Sequence, residues 1–183
     1  LPKIEYNRRG GMNIGICGKA GTGKTAVADH LVKKYGYKRY SIADEVKRIA
    51  VRLFKMKEKN RKLLQDIGFK MREIRPSVWI DFLIDQVRGK DNIVVDDIRY
   101  PNEYQALKRE GFKVIKVVAD REICIKRLTE RDGTAAIERL EDESETAMDD
   151  VEIENILDGN LPLEEMLAQL DKLLKSLNAD DYR

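Results

Sequence analysis

Eight consecutive residues, Gly18-Lys19-Ala20-Gly21-Thr22-Gly23-Lys24-Thr25, fit the pattern G-x-x-x-x-G-K-[ST] without exception. The glycines let the backbone curl, so that several N–H groups point inward at one anion. A helix starting there adds about half a positive charge. Lys24 is spaced to reach the β- and γ-phosphates of a nucleotide, and the Thr25 hydroxyl to ligate Mg2+. Gly18, Ala20, Gly21, Thr22, Gly23, Lys24 and Thr25 are therefore the candidate ATP-binding residues, and ATP and Mg2+ the expected cofactors.

A second stretch carries charge at the end of an apolar run. Ile93-Val94-Val95 leads into Asp96-Asp97, then Arg99-Tyr100-Pro101-Asn102-Glu103. Either carboxylate can serve Mg2+, directly or through water, so Thr25, Asp96 and Asp97 form the candidate metal set. The planar fork of Arg99 suits a phosphate. Further on, Arg127 and Arg131 are four residues apart and share a helix face, where they can approach one anion together. Arg139 is a further candidate. Asp44 follows the second strand pattern. Trp79 is an indole that either stacks on a base or anchors the core.

These residues need elements to hold them, and the periodicity supplies a series. Strands are predicted at Asn13–Cys17, Tyr37–Ile42, Ile93–Asp97, Phe112–Ala119 and Ile153–Leu157. Helices are predicted at Lys24–Tyr35 (with Val27, Leu31 and Val32 inward), Ala43–Phe54, Lys59–Lys70, Ser77–Arg88, Asn102–Glu110 and Arg121–Glu130. Pro76 suits a helix's opening turn, and Gly111 suits a C-cap. Leu163–Leu177 is amphipathic, with Leu163, Met166, Leu167, Leu170, Leu173 and Leu174 on one side. Alternating strands and helices imply an α/β fold, a parallel sheet with helices on both faces. In such sheets ligands bind beyond the carboxyl ends of the strands, just after Cys17, Ile42, Asp97 and Ala119.

Composition narrows the class. A chain of 183 residues with 42% hydrophobic residues can build one core. The reading is an extension over 1–11, disordered or artificially added, then one domain over 12–178 with a lid near 127–145, and a tail over 179–183. Charged residues make up 37% of the chain, and no apolar run is long enough to cross a bilayer. Lys and Arg (35) nearly balance Asp and Glu (33), unlike a chain coated by nucleic acid. The charge is segregated: eleven basic against five acidic residues from Asp44 to Arg75, and nine acidic with no basic residue from Glu141 to Asp158. Such single-sign fields can steer charged ligands. Cys17 and Cys124 lie far apart in apolar stretches, as buried thiols of a reducing cytosol do. With His30 as the sole histidine and no Cys-x-x-Cys pair, the sequence argues against a zinc site built from Cys and His. Neither Asp-x-x-Gly nor Asn-Lys-x-Asp occurs, which argues against a GTPase, and the length suits a small kinase.

Asp97-Ile98-Arg99-Tyr100-Pro101-Asn102-Glu103 resembles the Asp-Val-Arg-Phe-Pro-Asn-Glu element of bacteriophage-type deoxynucleoside monophosphate kinases. Other segments resemble that family in the same order. They are Ser41-Ile42-Ala43-Asp44, Leu63-Leu64-Gln65-Asp66-Ile67-Gly68, Arg72-Glu73-Ile74, Val78-Trp79, Glu143-Ser144-Glu145 and Ile156 to Glu165. The likeness spans about Met12 to Leu174. It implies a three-layer P-loop kinase sandwich with a short lid, transferring the ATP γ-phosphoryl group to the 5′-phosphate of a deoxynucleoside monophosphate. By the resemblance, Asp44, Arg72, Trp79, Asp97 and Arg99 would bind the acceptor. Asn160 would lie near the donor base. Lys24, Arg99, Arg127 and Arg131 would be catalytic. The implied partners are nucleotides rather than a stable nucleic acid or a membrane. The implied location is cytoplasmic (a host's cytoplasm if the source is viral), and there is room for a homodimer.

The chemistry asked of the chain is then simple. A nucleotide phosphate has a second pKa of about 6 and is already a dianionic nucleophile at neutral pH. The protein has to supply cations and alignment rather than a base. Three other readings stay open: a hydroxyl-directed kinase of the dephospho-coenzyme A type with Asp44 or Asp97 as base, a phosphomevalonate kinase, and a nucleotide-dependent switch.

Overall fold

A computed structural model describes residues 11–133, 137 and 140–180. The expectations placed on residues 1–10, on Arg139 and on the end of the tail lie outside the described residues.

Among the described residues, five parallel strands form one sheet in the order β2-β3-β1-β4-β5. They are β1 (Ile14–Cys17), β2 (Lys38–Tyr40), β3 (Ile93–Ile98), β4 (Lys113–Val118) and β5 (Asn155–Asp158). β1 sits in the centre and pairs with β3 on one side and β4 on the other. The strand order reverses there, which opens a crevice beyond its carboxyl end. Side chains alternate across the sheet. Ile14, Ile16, Val94, Ile115 and Val117 pack with α1 (Lys24–Tyr35) and α8 (Leu163–Asp180). Cys17, Val95 and Val114 pack with α2 (Ala43–Phe54), α3 (Arg61–Ile74), α4 (Val78–Val87) and α5 (Pro101–Arg109). A smaller cluster of Cys124, Leu128 and Leu140 lies beneath α6 (Arg121–Asp132). Among the described residues no helix is long and apolar enough to cross a membrane.

Several boundaries differ from the sequence reading for physical reasons. β2 stops at Tyr40 because Asp97 draws the next residues away: its carboxylate accepts from Ser41 Oγ at 2.6 Å and from the Ile42 and Ala43 N–H groups, both at 2.9 Å. α3 begins after Asn60, whose side chain accepts from the Leu63 N–H, and runs on to Ile74. Arg75 is then extended (φ −147°, ψ 109°), as a residue before proline must be. Pro76 thus ends one helix rather than opening the next; the helix-opening proline is Pro101. Val32 is 36% exposed, and Ala28 takes the core position expected of it. Leu163 is exposed at the start of α8, leaving Met166, Leu170 and Leu174 buried. A short helix not foreseen in the sequence, α7 (Glu143–Thr146), lies in the acidic segment.

Candidate active site

The phosphate loop bridges β1 and α1 and is held from outside as well as within. Gly21 has φ +86°, and a Cβ there would come within 2.9 Å of the Cys124 backbone, so only glycine lets α6 pack on the loop. From the other side the turn after β5 closes in: a Cβ on Gly159 would lie 2.4 Å from the Thr22 carbonyl oxygen. Thr22 is buried, its hydroxyl donating to the Lys19 carbonyl at 2.9 Å.

Lys24 donates from Nζ to the carbonyls of Gly18 (2.6 Å) and Lys19 (2.8 Å). The residue as a whole is half-buried, with its ammonium turned back onto the carbonyls of its own loop. Burial, with Arg99 nearby, lowers its pKa to about 8, although Glu145 and Asp96 oppose the shift.

The loop opens onto a cavity of about 900 Å³ whose walls include Ala20, Gly21, Gly23, Lys24, Thr25, Arg39, Asp44, Asp96, Asp97, Arg99, Arg127 and Arg131. Arg127 and Arg131 do share this wall; Arg127 Nη1 donates to the Gly21 carbonyl at 3.3 Å, and Arg131 pairs with Asp132 at 2.8 Å. Asp96 and Asp97, adjacent on β3, face opposite sides of the sheet. Asp96 is buried and gripped by the Arg39 fork, which also reaches Asp29 at 2.9 Å. Burial raises the Asp96 pKa, while the Arg39 bond works against that rise.

The expected metal set fits only in part. Asp97 has both oxygens engaged at the start of α2, so it positions that helix rather than waiting as a free metal ligand. No cluster of three or more metal-ligating side chains occurs among the described residues. Asp96 is engaged likewise, both its oxygens accepting from Arg39, so Thr25 is the member of the set suited to direct ligation. Mg2+, which usually keeps several waters and arrives with phosphates, would meet the carboxylates through water.

A side cavity of about 460 Å³ adjoins the first. Its apolar wall is Ile42, Val46, Leu64 and Phe69; its cations are Lys47, Arg72 and Arg99. Arg72 donates to Glu103 at 2.8 Å and lies over the Tyr100 ring, 4.6 Å from its centroid. Glu103 is buried and also accepts from the Arg99 and Tyr100 N–H groups at 2.8 and 3.1 Å. The run from Arg99 to Glu103 is thus a turn folded around its own last residue. Burial raises the Glu103 pKa, opposed first by the Arg99 N–H and then by Arg72.

Three expected ligand residues are placed otherwise. Trp79 is 3% exposed in the core and donates from Nε1 to the Gly68 carbonyl at 3.0 Å. It lines neither cavity, so it supports α3 instead of stacking on a base. Asn160 is exposed and lines neither; its Oδ1 accepts from the Asp120 N–H at 2.7 Å, fixing the start of α6. Asp44 lies on the phosphate-loop cavity, paired with Lys47 at 3.1 Å, and not on the side cavity. Two participants went unassigned in the sequence reading. Arg39 becomes a partner of Asp96 only once β2 is known to pair with β3. Glu145 gave its sole signal as part of the Glu143-Ser144-Glu145 likeness, which says nothing of what it touches.

A parallel sheet in this order, with a glycine-rich loop and helix after its central strand, is the α/β P-loop kinase fold. The chain belongs to the family described as AAA domain, which matches residues 14–149. In structure it is similar to a shikimate kinase from Acinetobacter baumannii in complex with shikimate, at 20% identity and a TM-score of 0.61, with all of each chain covered. It is also similar to a gluconokinase from Sinorhizobium meliloti 1021, at 18% identity and a TM-score of 0.58, over 94% of this chain and 99% of the other. TT1252 from Thermus thermophilus matches at 20% identity and a TM-score of 0.61, over 92% and 99%. None of the curated proteins compared with the chain matches it.

Proposed function

We propose that this protein moves the γ-phosphoryl group of ATP onto a phosphate-bearing acceptor, the 5′-phosphate of a deoxynucleoside monophosphate. The observation that carries the reading is Arg99, which lines the phosphate-loop cavity and the side cavity alike, with Arg72 beside it in the second. ATP would lie along the loop, its phosphates met by backbone N–H groups and Lys24. Arg127 and Arg131 would cover it from α6. The acceptor phosphate would be gripped by Arg72 and Arg99 and its base laid against Leu64 and Phe69. A bound Mg2+ supplies neutralising charge on the donor phosphates; Thr25 would hold it directly and Asp96 through water.

An anionic acceptor is favoured over a hydroxyl one by the state of the carboxylates. A hydroxyl acceptor needs a base. Asp97 is occupied by Ser41 and the start of α2, and Asp96 by Arg39, while Asp44 lines the phosphate-loop cavity and not the side cavity that holds Arg72. A dianionic phosphate needs none.

A coupled ADP-release assay tests this with deoxynucleoside and ribonucleoside monophosphates, phosphomevalonate, dephospho-coenzyme A, shikimate and gluconate as separate acceptors. Release that depends on a deoxynucleoside monophosphate supports the proposal. Release driven by a hydroxyl acceptor, or release without any acceptor, overturns it.

A further inference from the structure

The phosphate loop and Arg99 come from different elements, yet one side chain touches both. Glu145 on α7 is buried, its side chain 6% exposed. Its Oε2 accepts from the Ala20 N–H of the loop at 2.6 Å. Its Oε1 pairs with Arg99 Nη1. A second link runs alongside, from Lys19 Nζ to Asp149 at 2.7 Å. The acidic segment therefore straps the loop from the side, with Glu145 joining it to Arg99, the residue that lines both cavities. Buried carboxylates of this kind persist only where both oxygens are satisfied.

We infer that Glu145 is a positioning residue that fixes Arg99 relative to the phosphate loop, and so sets the distance between donor and acceptor phosphates. The carboxylate occupies one terminal nitrogen of the guanidinium and leaves the rest of the fork for an anion. This rests on reading Arg99 as the acceptor-phosphate clamp. The role differs from that of a substrate ligand: Glu145, being negative, would repel phosphate and acts only through Arg99 and the Ala20 backbone.

The test is a double-mutant cycle of Glu145→Gln with Arg99→Ala in the full chain, followed by steady-state kinetics in both substrates and thermal melting. Glutamine is nearly isosteric and still accepts the Ala20 N–H, so the KM for ATP should stay close to wild type, while loss of the buried ion pair with Arg99 lowers the melting temperature. The acceptor KM should rise, and kcat/KM for the acceptor should fall roughly tenfold or more, within the range for coupled neighbours. In the Arg99→Ala background the same substitution should change kcat/KM less than about twofold, because its route is already cut. Glu145→Asp should recover part of the loss. If the two single effects multiply in the double variant while the wild type turns over normally, the positioning role is overturned and the kinase reading stands. If the wild-type chain releases no ADP with any monophosphate, the kinase reading falls and this inference with it.

Discussion

Lys24 and Arg72 are both cations facing a cavity, but their surroundings differ. The Lys24 ammonium is held by two neutral carbonyls of its own loop, Gly18 and Lys19, within six residues of sequence. Arg72 is held by a full negative charge, the buried carboxylate of Glu103, from an element 31 residues away. Carbonyls steer a cation without cancelling it, so Lys24 keeps its charge for a polyanion. Arg72 is neutralised in part and gains a fixed plane. On the proposed reading the two ends of the site would do different work: Lys24 would meet charge that shifts during transfer, and Arg72 would orient a phosphate that merely binds.

The largest effect to expect from this contrast is at Lys24. Lys24→Ala should lower kcat by about 10³-fold or more, the scale of a cation acting on the transferring phosphoryl group. Stopped-flow or steady-state turnover, with circular dichroism to show the fold intact, measures it. The lowered pKa adds a sharper sign. In the free enzyme Lys24 loses its proton near pH 8, so kcat/KM for ATP should fall as pH rises through about 8. Bound phosphates favour the charged form, so kcat itself should hold to higher pH. For folding the sign is reversed. Between about 8 and the ordinary value of 10.5, the unfolded chain keeps a proton that the folded one has released, so this group's contribution makes stability rise with pH across that window. A kcat/KM for ATP that is flat from pH 7 to 10 would place the ammonium in open solvent and break the contrast.

Arg72 should respond more modestly and in a different constant. Arg72→Lys keeps a cation against Glu103 and so avoids stranding a buried carboxylate. It loses the fork and its stacking on Tyr100, so the acceptor KM should rise about tenfold, with kcat and the KM for ATP nearly unchanged. A fall in kcat with an unchanged acceptor KM would show that Arg72, like Lys24, acts on the transferring group.

The same contrast separates what is legible in the sequence from what only the fold brings together. The donor end is one contiguous run, and its spacing prescribes a loop between strand and helix; both flanking elements fall where periodicity places them. The proposed acceptor end draws on α3, the end of β3 and α7, and only the pairing of distant elements brings these together. Arg39 shows the limit plainly. It is an ordinary arginine on a three-residue strand until β2 docks beside β3. Glu103 shows a middle case: its buried position follows from the turn it caps, but its grip on Arg72 does not.

Trp79 is where chemistry by residue type misleads, and it gives the smallest effect on function. An indole next to the acceptor segment invites a stacking role. In the fold the ring is 3% exposed and its N–H is spent on the Gly68 carbonyl, which also accepts from Arg72 Nη1 at 3.3 Å. Trp79→Phe therefore removes one hydrogen bond without stranding its acceptor, a cost of about 1 kcal/mol. The lost ring volume adds roughly 1–2 kcal/mol for the space left in a packed core. Chemical denaturation should show a loss of about 2–3 kcal/mol in total. The acceptor KM should change less than about threefold, since Gly68 and Arg72 stay within reach of each other. The reverse pattern, unchanged stability with a tenfold higher acceptor KM, would return the indole to the binding surface. It would also mean that the acceptor end is held by its ligand rather than by buried carboxylates.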